Sequence, residues 1–228
     1  MKLYDLAGAD ESLRFSPFCW RARMALAHKQ ITAEMVAWRF TEKLALPQPN
    51  AGQVPVLVDG DRVVADSWNI ARYLDERYPQ HPLFDCAQAQ AHALLIKHWV
   101  EKTLHPLFAR LLVPEISPLL AERDKAYFRE SREKRFGMPL ERLADEREPT
   151  LARLRAALEP LRAMLADQPF VSGQAAGFAD YLVFAPFQWA RCTTGLELLA
   201  PDDPVHAYRE RLLDLHSGYA RRARCAGG

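Results

Sequence analysis

The sequence predicts a small α/β part followed by a larger all-helical part. Three observations carry this. Up to residue 79, short β-type runs alternate with helical ones. From residue 80 onward no segment reads as a strand. The later apolar residues instead recur at helical spacing, as in Leu151, Leu154, Leu158, Leu161 and Leu165. The boundary falls at Gln80-His81-Pro82, which gives domains of 1–80 and 81–228.

Lys2 to Leu6 reads as a strand with Leu3 and Asp5 on one face and Lys2 and Tyr4 on the other. Ser16-Pro17 starts a helix, with serine at the N-cap and proline at the first helical position, and the helix runs to about Lys29. Ile31 to Trp38 is a second strand. Val54 to Val58, the turn Asp59-Gly60-Asp61, and Arg62 to Ala65 make a hairpin. Asp66-Ser67 caps a helix that Pro79 stops. The helical part begins with one long pattern from Ala87 to Leu112, marked by Leu94, Leu95, Trp99 and Leu104. A charge-laced helix spans Asp124 to Phe136, and the run Arg129 to Arg135 is expected to be solvated and ion-paired. Pro160 should break the leucine stripe. Phe178 to Cys192 is apolar almost all round and is expected to be the central buried helix. Pro204 to Leu215 forms the last helix, and the tail from Arg221 is expected to fray.

Composition narrows function only by exclusion. The 228 residues are 49% hydrophobic and 26% charged, which is globular. A formal charge of +1 argues against a broad surface for nucleic acid or anionic membrane. No run approaches the roughly 18 to 20 apolar residues of a membrane span, and Met1 to Ala7 lacks a signal-peptide core. The cysteines at 19, 86, 192 and 225 contain no CxxC pair and suit a reducing, cytoplasmic setting. No metal is expected. His98 with Glu101, or with His105, shares a helix face but has no third spaced ligand.

Three motifs bear on chemistry. Ser16 stands at a helix N-terminus, where unpaired N–H groups favour an anion such as a thiolate, although a serine there also acts as a simple cap. Cys19 lies one turn inside that helix and reads as a small buried hydrophobe, so dithiol redox chemistry is disfavoured while a one-cysteine reaction stays open. Val54-Pro55 enters a strand. An ordinary trans bond is the common case there, whereas a cis bond would turn the Val54 amide and carbonyl outward to an extended ligand. Asp66 and Ser67 offer a cap or a carboxylate site.

Together these segments resemble glutathione transferases over essentially the whole chain. The N-terminal part is similar to their thioredoxin-like domain through Gln53-Val54-Pro55-Val56-Leu57 and Asp66-Ser67-Trp68-Asn69-Ile70. The second part is similar to their helical domain through Phe170-Val171-Ser172-Gly173 and Gly177-Phe178-Ala179-Asp180. Ser16 to Arg21, Arg129 to Arg135 and Asp202-Asp203-Pro204 look closest to bacterial lignin β-etherases and fungal etherase-like transferases. The resemblance implies a glutathione-dependent transferase acting on small hydrophobic or aromatic electrophiles, by β-aryl ether cleavage in the closer subgroup. Ser16 would be catalytic. Phe18, Lys43, Gln53, Val54, Pro55 (as a cis-proline), Asp66 and Ser67 would bind glutathione. A homodimer is implied too. Isomerase, peroxidase or thioltransferase chemistry, or a non-catalytic ligand-binding role, are the alternatives. The chain departs from the family pattern at Pro49-Asn50-Ala51-Gly52, where the etherases are more charged, and at Gly177, where Ser or Thr usually caps the helix.

Overall fold

A computed structural model describes residues 1–48 and 52–226. The departure at Pro49-Asn50-Ala51 therefore lies outside the described residues, except for Gly52. Four strands form one mixed sheet in the order β2-β1-β3-β4. They are β1 (Lys2–Leu6), β2 (Glu34–Trp38), β3 (Val56–Asp59) and β4 (Arg62–Ala65). β1 runs parallel to β2 and antiparallel to β3, and β3–β4 is the expected hairpin, closed at Asp59 and Arg62. Gly60 takes a φ of +57° in that two-residue turn, which glycine adopts without strain. Leu3 and Asp5 are buried on one face of β1, as the alternation predicts. β3 begins two residues later than the apolar run because Pro55 has no N–H to give the ladder.

Helix α1 (Pro17–His28) crosses from β1 to β2, and α2 (Ser67–Arg77) follows β4. Lys29 and Asp75 tie the ends of these helices at 2.6 Å. The Asp75 carboxylate also accepts the amides of Leu83 and Phe84, which fixes the connection into the helical part.

The helical part holds α3 (Ala87–Trp99), α4 (His105–Ile116), α5 (Glu122–Phe136), α6 (Leu140–Asp145), α7 (Arg147–Ala157), α8 (Glu159–Asp167), α9 (Phe178–Thr193) and α10 (Pro204–Gly218). No strand follows Ala65 among the described residues. The long pattern from Ala87 is broken by a π turn over Val100–Leu104. Pro106, just after it, cannot donate the backbone bond that would keep the α ladder regular. Leu94 and Leu95, expected on the apolar stripe, are instead exposed (41% and 68%), while Ala93 and Ile96 face the core. Pro160 sits in the first turn of α8 and separates it from α7, and α6 was not foreseen because six residues are too few to show a period.

α9 is the central helix. Phe178, Tyr181, Leu182, Phe184 and Phe187 are all essentially buried, each contributing roughly 1.5 to 3 kcal/mol of apolar burial. Its entry depends on Asp180, whose carboxylate accepts from the amides of Val171 (2.7 Å), Ser172 (3.1 Å) and Gly177 (3.0 Å) and from the Tyr208 hydroxyl (2.9 Å). Gly177 allows a close approach at the N-cap, since a Cβ there would lie 2.8 Å from Ser172 Oγ and 3.2 Å from the Leu83 carbonyl and would require one of them to shift. The side-chain cap lost at Gly177 is thus exchanged for close approach of the interdomain connection.

The last turn of α1 is tied to α9 and α10 through a hydroxyl. The His28 Nε2–H donates to the Pro82 carbonyl (3.1 Å), so its Nδ1 accepts from Tyr181 Oη (2.7 Å), which in turn accepts from His216 Nε2 (3.0 Å). The tail does not fray through Ala226. Arg191 donates to the Ala220 and Arg221 carbonyls, and the Ala226 amide donates to Cys192. No helix is long and apolar enough to cross a membrane among the described residues.

Asp180→Ala strands the buried amides of Val171 and Gly177 and the buried Tyr208 phenol, and also frees the Ser172 amide. We expect a loss of about 3 to 5 kcal/mol in urea unfolding, and a loss below about 1 kcal/mol would refute this assignment.

Candidate active site

Ser16 is 6% exposed and occupies the N-cap of α1 with extended backbone angles. Its Oγ accepts from the Cys19 amide at 3.3 Å, which leaves the hydroxyl hydrogen for a second partner. In the first turn Pro17 has no N–H, Cys19's is used by Ser16 Oγ and Trp20's by the Ser16 carbonyl. The Phe18 amide therefore remains as the unengaged donor among the described residues. The Cys19 thiol is fully buried, and that burial, followed by nearby Asp5, pushes its pKa well up.

The edge beside this helix end is the loop before β3. The Val54–Pro55 bond is cis, the rarer of the two geometries weighed from the sequence. The Val54 N–H and C=O have no hydrogen-bond partner among the described residues. Asp66 caps α2, its Oδ1 accepting from the Trp68 and Asn69 amides at 2.9 and 3.2 Å. Its φ of +76° is a costly conformation for a residue with a Cβ. Ser67 is 1% exposed, and its hydroxyl is buried without a partner.

An open cleft of about 270 Å³ lies between the two parts. Ser16, Phe18, Gln53 and Val54 form one wall, and Tyr127, Phe128, Arg132 and Arg135 of α5 form the opposite one. His105 and Trp189 close it from α4 and α9, stacked with centroids 5.4 Å apart. Phe18 leans on His105 at 5.2 Å. Beneath Phe18 the buried Arg21 guanidinium lies 4.7 Å from the ring and bonds Glu101 at 2.7 Å. Burial, then the charges of Arg21 and Arg135, lowers the His105 pKa to about 4, so His105 is neutral near pH 7.

Of the residues singled out in the sequence, Ser16, Phe18, Gln53 and Val54 share this cleft. Pro55, Asp66 and Ser67 are not in the cleft lining; the Asp66 amide donates to the Pro55 carbonyl at 3.2 Å, and Ser67 begins α2. Lys43 lies on a short 3-10 helix (Lys43–Ala45) outside the cleft lining, its Nζ 4.7 Å over the Tyr127 ring. His98 is exposed, and no cluster of three or more metal-type ligands occurs among the described residues. The run Arg129 to Arg135 is only half solvated ion pairs. Arg129 bonds Glu133 and Glu141 as expected, but Arg132 and Arg135 turn to the cleft. The signal was present, since Phe128, Arg132 and Arg135 follow the i, i+4, i+7 rule for one helix face.

His105 makes stability depend on pH. Its native pKa of about 4 lies below the ordinary 6.5, so the unfolded chain takes up the proton first. Native stability is therefore lost as pH falls from 6.5 toward 4. His105→Phe should flatten the fall by about 1.4 kcal/mol per pH unit between those limits. Parallel stability–pH curves for the two proteins would contradict this.

Models of the glutathione S-transferase N-terminal and C-terminal domains match residues 12–82 and 91–201. A glutathione S-transferase-like protein of Aspergillus flavus is 31% identical over 139 residues, covering 55% of this chain and 49% of that protein. The chain thus spans about half the length of that relative. A glutathione S-transferase of Ceriporiopsis subvermispora, crystallised with glutathione, superposes with a TM-score of 0.80 at 21% identity over 96% of both chains. A glutathione transferase of Phanerochaete chrysosporium does so with a TM-score of 0.74 at 26% identity, covering 95% of this chain and 92% of that one. Both family domains in sequence order, on the sheet and helical bundle described above, make the chain a member of the glutathione S-transferase family.

Proposed function

We propose that this protein is a glutathione transferase that directs the glutathione thiolate from Ser16 onto small aromatic electrophiles. One observation carries the reading. The hydroxyl and the free Phe18 amide at the N-terminus of α1 open into the same cleft as the unpaired backbone edge of Val54. In this reading the cysteinyl part of glutathione pairs with Val54 beside cis-Pro55. Asp66 takes the γ-glutamyl amine, and the partnerless Ser67 hydroxyl donates to its carboxylate. Gln53 and Lys43 flank the glycyl end. Residues 1–80 act as the glutathione domain, and 81–228 supply the electrophile pocket.

The chemistry follows from charge. A thiol brought to a helix N-terminus and offered hydrogen bonds by Ser16 and Phe18 ionises more readily, because those donors favour the anion. The thiolate pair forms a C–S bond as the leaving group departs with its own electron pair. A phenolate in that position makes the step β-aryl ether cleavage, the finer form of the proposal. Thioltransferase chemistry through Cys19 is disfavoured by the fully buried thiol. The proposal includes a homodimer, for which Leu94 and Leu95 on α3 offer exposed apolar surface.

Ser16→Ala should raise the thiol pKa of bound glutathione by about 1 to 2 units and lower kcat/KM about 10- to 100-fold. An unchanged pKa and rate, or loss of activity in Cys19→Ala instead, sinks the role of Ser16. Ser67→Ala should raise the KM for glutathione about tenfold with little change in kcat, as loss of ground-state binding requires.

A further inference from the structure

The cleft carries positive charge with nothing to balance it. Several arginines are matched by carboxylates: Arg23 bonds Asp5, Arg129 bonds Glu133 and Glu141, and Arg162 bonds Asp203, while Arg155, Arg191 and Arg211 outside the cleft donate to backbone carbonyls. Arg132 and Arg135 are not matched by carboxylates. Neither forms an ion pair with any carboxylate, and the cleft lining contains no aspartate or glutamate among the described residues. Arg132 donates to Ser131 Oγ at 2.9 Å and lies over the rings of Phe128 and Phe40, at 4.8 and 5.3 Å. Burial, and then Arg135 beside it, both work against its charge. Two like charges held together on one helix face, one of them partly buried on aromatic rings, make an arrangement that an anion would relieve. The nearby His105 is neutral and 7% exposed, and the Trp189 indole N–H at the same end of the cleft is buried without a partner.

We infer that the second substrate is an aromatic acid, its ring against Phe40 and Phe128 and its carboxylate or phenolate received by Arg132 and Arg135. This rests on the transferase reading for the reaction but not for the binding. A planar guanidinium receives a carboxylate through paired N–H donors, and an aromatic wall next to it selects a ring bearing the acid. The competing source of the same chemistry is the glycyl carboxylate of glutathione.

The probes are the unreactive 3,5-dinitrobenzoate and 3,5-dinitrobenzamide, which differ in charge and little in shape. Calorimetric titration of the intact protein should show the benzoate bound about tenfold more tightly than the amide at low salt. The gap should narrow at about 0.5 M salt. Arg132→Met with Arg135→Met should close it, and Arg132→Lys should keep part of it, with thermal melting of each variant checking the fold. Equal binding of the two probes by the natural protein overturns the inference. So does a double variant that keeps the gap while its affinity for glutathione falls, because the cations would then serve the glycyl carboxylate. Turnover is read with 4-chloro-3,5-dinitrobenzoate and its amide, where a C–S bond forms and chloride leaves with the C–Cl pair. Binding discrimination without turnover of either defeats the transferase reading and leaves the anion receiver standing.

Discussion

Helix α1 has no free face, and the rest of the structure is arranged around that constraint. Cys19, Trp20, Ala22, Met24, Ala25 and Leu26 point in every direction from its axis, and all are buried. Such a helix needs cover on all sides, which a single sheet cannot give. α9 and α2 supply it, so the two parts of the molecule close over one helix. Its two ends are then fixed by different means. The C-terminal end is held by Lys29 with Asp75 and by the His28–Tyr181–His216 chain. The N-terminal end, with Ser16, is left facing the cleft.

The charged groups at this junction are few and specific. Arg21 is taken fully out of water and matched by Glu101, which Lys97 also bonds at 2.8 Å. Its Nε and Nη2 have no partner, so the pair is incompletely satisfied and its contribution to stability is small. Its value is positional. It joins α1 to the π turn of the other part and supports the Phe18 ring from beneath. A protein of near-zero net charge thus still sets two arginines, Arg132 and Arg135, into a cleft lined by no carboxylate among the described residues.

Much of this was legible in the sequence. The Ser16-Pro17 start, the Asp59–Asp61 turn and the apolar stretch from Phe178 each depend on local rules of capping, turn geometry or periodicity, and each is where those rules put it. What was not legible depends on partners distant in sequence. Nothing near Cys86 or His98 distinguishes the exposed Leu94 and Leu95 from the buried Ile96. The choice between trans and cis at Pro55 is made by tertiary contacts, not by the dipeptide. The division of the arginine run into solvated and cleft-facing members could be phased by spacing, but only the placement of α5 says which face meets a cavity.

The π turn leaves a trace of its own. Ile96, Val100, Leu104, Phe108 and Leu112 are all buried, each four residues after the last. A straight α-helix of 3.6 residues per turn would drift about 40° at every such step and carry the last of them well round the barrel of the helix. The wider turn between Val100 and Leu104 absorbs part of that drift. A run of apolar residues in steps of four thus amounts to an added residue written into a helix, and Glu101 lies within the turn that accommodates it, with His105 directly after.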